Sequence, residues 1–143
     1  MNIDSIKNGV VIDHIAAGRG MQLYELLGLD GLDCSVALIK NVPSKKLGKK
    51  DIIKIDADIA VNFDAIGYVD PDATVNIIRN GELLEKRTIG LPERLIGVIH
   101  CRNPRCITSV EQELADEFRL TDREKKIYRC IYCETRADFE QQN

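Results

Sequence analysis

Residues 73–89 read Ala73-Thr-Val-Asn-Ile-Ile-Arg79-Asn80-Gly81-Glu-Leu-Leu-Glu-Lys-Arg-Thr-Ile89. Two strand-like runs meet at Asn80-Gly81, a pair that tolerates the positive φ angles of a tight hairpin turn. Upstream, Asp51 to Asp56 (DIIKID) places Ile53 and Ile55 on one face of a strand and Ile52 and Lys54 on the other. Between them, Ile59, Phe63 and Ile66 recur at spacings of four and three, which predicts a helix over Ala57 to Gly67. Ser35 to Val42 (SVALIKNV) reads as another strand, and the polar stretch PSKKLGKK turns it into DIIKID. Leu23, Leu26 and Leu27 predict a helix within Gly18 to Leu27, and GVVIDHI, Gly9 to Ile15, is β-branched and strand-length. The order β-α-β-β-α-β plus one strand is α+β. It is the ferredoxin-like plan, an antiparallel sheet with two helices on one face, whose other face or exposed edge needs a cover or a partner.

Composition bounds the remaining possibilities. The chain has 143 residues, 44% hydrophobic and 30% charged, with 20 Lys+Arg against 23 Asp+Glu and a formal net charge of −3. That is enough apolar content for a core, so a disordered chain is excluded. No apolar run approaches the ~20 residues of a membrane span, and the N-terminus lacks the pattern of an export signal. A cytoplasmic chain with no membrane partner is expected. Its five cysteines would stay reduced there, which favours a metal site over disulfides.

The grammar changes near Leu91-Pro92-Glu93-Arg94, predicting domains at 1–92 and 93–143. Four of the five cysteines follow that point, as Cys101-Arg-Asn-Pro-Arg-Cys106 and Cys130-Ile-Tyr-Cys133. Paired cysteines at these spacings place four thiolates at tetrahedral corners, so Zn2+ in a small β-rich, zinc-ribbon-like domain is expected. An iron–sulfur cluster also takes four cysteines, but the paired spacing favours zinc. Four thiolates leave no open coordination position, which makes the site structural. A segment this short needs such a staple. From Ile96 onward it carries 8 Lys+Arg and 9 Asp+Glu, so no basic surplus favours nucleic acid, and protein docking is expected instead. Cys34 stands alone and takes no role.

Asp13, His14 and Lys54 interrupt apolar strands. Spacing alone leaves two readings open, an Asp13–Lys54 ion pair or open-face exposure on one side and a ligand site on the other. The run Lys45, Lys46, Lys49, Lys50 reads as a solvated loop. Phosphate-loop, nucleophile-elbow and His-Glu-x-x-His motifs are missing, so no enzyme is indicated.

Taken together, GVVIDHI, GKKDIIKI, ATVNII, LPER and Cys-x4-Cys with Cys-x2-Cys before Glu134 resemble the regulatory chain family of aspartate carbamoyltransferase, over nearly the whole chain. The resemblance implies a non-catalytic chain with an N-terminal allosteric domain for CTP and ATP. It also implies a C-terminal zinc domain that docks onto the catalytic chain, and a homodimer through the N-terminal domain. Three such dimers would link two catalytic trimers in pyrimidine biosynthesis, with CTP favouring the low-activity state and ATP the active one. Residue by residue, it implies that Asp13 accepts from ribose hydroxyls, that His14 and Lys86 face the triphosphate, and that Lys54 reaches the ribose and base. Ser5 and Ile6 would offer backbone groups to the base edge, with Val11, Asn76, Ile78 and Leu83 completing the pocket. Where the family carries tyrosine in the hairpin turn, this chain has Gly81. The competing readings are a stand-alone nucleotide-sensing zinc-ribbon adaptor for another protein and a nucleic-acid-binding ribbon.

Overall fold

The computed structural model describes residues 6–111 and 113–137, in two compact units, Met1–Gly90 and Leu91–Asn143. No helix among these residues is long and apolar enough to cross a membrane.

The first unit is a five-stranded antiparallel sheet made of β1 (Gly9–Ala16), β2 (Val36–Ser44), β3 (Gly48–Ile55), β4 (Thr74–Arg79) and β5 (Glu82–Thr88), in the order β2-β3-β1-β4-β5. This is the ferredoxin-like order with β5 added outside β4. Helices α1 (Gly20–Leu26) and α2 (Phe63–Val69) connect β1 to β2 and β3 to β4. The core forms from Val10, Ile12, Ile15, Ile53, Ile55 and Val75 of the sheet with Leu23, Ile66 and Val69 of the helices, all buried. Alternation along each strand leaves the neighbours of these residues on the opposite face.

Strict alternation fails on β1 and on β2 at points that both face one residue of β3. Asp51 is fully buried on β3, and its carboxylate accepts the backbone N–H groups of Gly18 (3.1 Å), Gly20 (3.0 Å) and Asn41 (3.1 Å). Each strand beside it carries a bulge opposite this point. On β1 the pairing jumps from Ile12↔Ile53 to Ile15↔Asp51, and on β2 from Ile39↔Ile52 to Val42↔Lys50. His14 and Asn41, both at φ 59°, occupy the extra positions. The bulge on β1 returns Ile15 to the core, where an uninterrupted strand would have turned it out.

Two boundaries differ from the sequence-based expectation. The second helix starts at Phe63 and not at Ala57, because the Asn62 side chain accepts the amides of Asp64 (3.0 Å) and Ala65 (3.2 Å) and caps it there. The β2–β3 hairpin is also longer than expected, since Pro43 and Ser44 pair with Lys49 and Gly48, leaving a turn at 45–47. Proline is admissible there because β2 is an edge strand. At the other hairpin, Asn80 and Gly81 adopt φ 54° and 77°, as the Asn-Gly pair predicts.

The second unit is a three-stranded antiparallel sheet of β6 (Arg94–Ile96), β7 (Glu117–Asp122) and β8 (Ile127–Cys130), with one short helical turn, α3 (Ile107–Val110). Among the described residues its apolar core is Leu95, Ile99, Phe118 and Tyr128, with Cys106 and Cys130 also buried.

A methyl group at Gly20 would sit 2.8 Å from both Asp51 Oδ2 and Leu38 Cδ1, and the carboxylate is too well tethered to yield. Gly20→Ala is expected to cost about 1–3 kcal/mol. Gly31→Ala, with open space around its Cβ, should cost nothing measurable. Urea denaturation followed by amide exchange in β1 and α1 distinguishes the two.

Candidate functional site

Two constellations carry the polar chemistry, one in each unit. The first lies on the sheet face away from the helices. Register places Lys54, Val11, Asn76 and Lys86 directly across from one another on β3, β1, β4 and β5, so the four form one row. A bulge on β5 between Leu83 and Glu85 brings Leu83, opposite Ile78, to the same face as Lys86. The row is the floor of a cleft of about 480 Å³ lined by Ile6, Val11, Asp13, Ile52, Lys54, Asn76, Ile78, Gly81, Leu83 and Lys86.

Eight of the ten pocket residues expected from the sequence therefore meet in one cleft: Ile6, Val11, Asp13, Lys54, Asn76, Ile78, Leu83 and Lys86. Ser5 lies outside the described residues. His14 does not line the cleft; its Nδ1 lies 3.0 Å from the Thr74 hydroxyl. Ile52 and Gly81 join the lining. Ile52 was detectable from its alternation with Lys54, and Gly81 from its place in the turn. Gly81 leaves that wall without a side chain, while its amide donates to the Lys7 carbonyl at 2.9 Å.

Among the described residues Asp13 pairs with Lys50, at 3.0 Å, and not with Lys54. Both side chains are largely covered, at 21% and 16% exposure. Burial alone would raise the Asp13 carboxyl, but the Lys50 ammonium and the His14 amide outweigh it and hold the pKa below its ordinary value. Asp13 is thus an ionised, acceptor-only group at the cleft wall, suited to hydroxyl donors. Lys54 and Lys86 bring two further ammonium groups, and Val11, Ile52, Ile78 and Leu83 give an apolar bed. Together these suit a ligand with an apolar ring system, hydroxyls and negative charge.

In the second unit the Sγ atoms of Cys101, Cys106, Cys130 and Cys133 all lie within 4.8 Å of one another. Cys101 and Cys133 are 3.5 Å apart and Cys106 and Cys130 3.7 Å, far beyond a disulfide bond of ~2.05 Å. The two loops that carry them are fixed locally. Asn103 Oδ1 accepts the Arg105 amide and its carbonyl accepts the Cys106 amide, both at 3.0 Å. The amide of Glu134, at φ 65°, closes onto the Cys130 carbonyl at 2.9 Å. Asp116 accepts the Cys101 amide at 3.0 Å and lies 2.8 Å from His100 Nδ1, so it orients the first ligand loop.

The thiols differ in proton affinity. Burial, with thiol neighbours, pushes Cys101 up to about 12, and burial also raises Cys130. Burial opposes ionisation of Cys133 too, yet Thr135 through its hydroxyl and amide, with Asn103, holds it down to about 6. Four sulfurs at these separations, one already a thiolate at neutral pH, fit a tetrahedral metal ion.

One unit thus carries a polar cleft and the other a cluster of four thiols. Residues 1–90 match the family described as aspartate carbamoyltransferase regulatory chain, allosteric domain, and residues 93–143 match its metal binding domain. The chain is 48% identical over 134 residues to the aspartate carbamoyltransferase regulatory chain of Clostridium botulinum strain Hall, covering 94% of this chain and 92% of that one. It is 48% identical to that of Clostridium tetani over 94% of both chains, and 43% identical to that of Bifidobacterium longum over 96% and 99%. The chain belongs to the aspartate carbamoyltransferase regulatory chain family and is a regulatory, non-catalytic subunit.

Chelating the metal should remove amide protection across 117–130 while leaving β1, β3 and β4 protected, because metal binding supplies folding free energy to the second unit. Acid should act in the same direction. Protons compete with the metal for Cys101 and Cys130, whose thiols hold them tightly, so metal occupancy rises with pH. Hydrogen exchange across a pH series with and without a chelator checks both expectations.

Proposed function

We propose that the cleft on the N-terminal sheet binds CTP and ATP in competition, and that occupancy there modulates the catalytic chain of aspartate carbamoyltransferase. The observation that carries this reading is the cross-strand row Lys54–Val11–Asn76–Lys86, with ionised Asp13 beside it. Asp13 accepts from the ribose hydroxyls, Lys54 meets the ribose and base, and Lys86 meets the triphosphate. Ile6 and the apolar bed hold the base. His14 enters this reading as a triphosphate contact from the bulge next to Asp13, and Ser5 as a backbone contact to the base edge.

The C-terminal domain is assigned structural Zn2+, held by Cys101, Cys106, Cys130 and Cys133. Zn–S bonds of ~2.3 Å in a tetrahedron require sulfurs about 3.8 Å apart, close to the 3.5 and 3.7 Å separations of the two pairs. Zinc supplies no reaction here; the four thiolates fix the loops. Exposed Ile107, Val110, Ile131 and Tyr132 give the unit apolar surface for docking on the catalytic chain. The division of labour is therefore domain 1–92 for nucleotide and homodimerisation and domain 93–143 for zinc and docking, in a cytoplasmic assembly serving pyrimidine biosynthesis.

Calorimetric titration of CTP into the zinc-loaded chain is expected to give saturable binding that ATP displaces. Lys54→Ala should weaken it about tenfold or more, through loss of a charge-assisted contact. The absence of binding by the folded, zinc-replete chain overturns the nucleotide assignment. In the assembled enzyme, a substrate analogue on the catalytic chain must change CTP affinity by the factor by which CTP changes affinity for the analogue, a coupling of typically ~1–3 kcal/mol.

A further inference from the structure

The C-terminal segment carries nearly balanced charge, but the fold segregates it. In the β6–β7–β8 sheet the inward rows are Leu95–Phe118–Cys130 and Leu120–Tyr128. Between them runs an outward row in which Arg94 pairs with Arg119, Arg119 with Arg129, and Arg129 with Arg136 through a final bridge. Directly opposed residues on adjacent strands share a face, so four arginines stand side by side over about 14 Å, at ~4.8 Å per strand. All four are exposed. Arg102 approaches the end of the row, its Nε donating to the Arg136 carbonyl at 3.1 Å.

Like charges placed directly opposite one another destabilise a sheet, and a guanidinium cannot relieve the repulsion by losing its proton. Internal compensation is slight. Glu117 lies 3.2 Å from Arg94 at one end. Arg129 donates to the Glu134 backbone carbonyl at 3.1 Å, not to a carboxylate. Arg119, Arg129 and Arg136 have no ion-pair partner among the described residues. At the Arg94–Arg119 end the row opens into a depression of about 400 Å³ whose wall also carries Thr121, Arg123 and Glu93, the last two 3.8 Å apart.

We infer that this arginine row is a docking surface for an acidic segment of the catalytic chain, distinct from the exposed apolar residues near α3 and the Cys130–Cys133 turn. The inference rests on the regulatory-subunit reading above and names the electrostatic part of that contact. Carboxylates at helical i, i+4 or alternate strand positions repeat at ~5–7 Å, close to the row's own spacing. Arginine forks bind carboxylates bidentately. A nucleic-acid occupant is disfavoured because Phe118 and Tyr128, the aromatic residues of these strands, point into the core and offer no stacking platform. The chain as a whole is also net negative.

The test is sedimentation of the full zinc-loaded chain with catalytic trimers across a salt series. It compares wild type, the double reversal Arg119→Glu/Arg129→Glu, and the charge-retaining Arg119→Lys/Arg129→Lys. Zinc content and CTP titration of each variant report that both units remain folded. The expected result is association at least about tenfold weaker in the reversal variant, a gap that narrows as salt rises, and near-wild-type behaviour in the lysine variant. Equal association of wild type and reversal at every salt concentration overturns the arginine row as a docking surface while leaving the regulatory reading intact. Failure of the wild-type chain to associate with trimers overturns both. Salt-sensitive retention of RNA by wild type and not by the reversal, without any effect on trimer association, overturns the inference in favour of a nucleic-acid surface.

Discussion

Asp51 gives its carboxylate to three backbone amides from three separate segments: the turn after β1, the start of α1 and the bulge of β2. A buried acid is tolerable only when its lone pairs are used, and here they organise the unit around them. The amides at 18 and 20 fix where α1 begins, so Leu23 reaches the core. The bulges of β1 and β2 both fall opposite this point. The β1 bulge resets the strand's face after Asp13, leaving Val11 and Asp13 on the open side and Ile12 and Ile15 in the core.

The second unit solves its stability problem differently. Among the described residues, four large apolar side chains are too few to hold its three strands and two cysteine loops, and the thiol cluster supplements that core. Both buried ligands, Cys106 and Cys130, are continuous with that core, since Phe118 pairs directly with Cys130. The metal therefore couples the loops to the sheet. Asp116, accepting from the Cys101 amide beside His100, ties the first loop to the residue preceding β7.

Local chemistry was legible in the amino-acid sequence and long-range compensation was not. Asn80-Gly81 announced its hairpin because the left-handed backbone is a property of those two residues. The paired cysteines announced their cluster because metal geometry dictates spacing. The faces of β3 could be read from Ile53 and Ile55 against Ile52 and Lys54. The bulges at His14 and Asn41 could not, because neither residue demands a positive φ; the demand comes from Asp51. An Asp13–Lys54 ion pair was one of the readings that spacing left open, and the partner found, Lys50, lies in a run that reads as a loop. The start of α2 was masked by apolar periodicity that runs past Asn62. The arginine row was invisible to charge counting, which records sign and not register. Most of the cleft residues came from family resemblance, because a row spread over four strands leaves no local signature.

The strand order β2-β3-β1-β4-β5 also governs how the first unit comes into being. Its central strand is the first to leave the ribosome, and both neighbours, β3 and β4, are made later, on either side of α2. β1 has no hydrogen-bonding partner until β3 emerges and is not enclosed until β4 follows. Such non-local pairing must close long loops before it gains contacts, which slows folding. The nascent GVVIDHI segment therefore passes through synthesis without its strand partners, with only the polar side chains of Asp13 and His14 to discourage pairing with another chain.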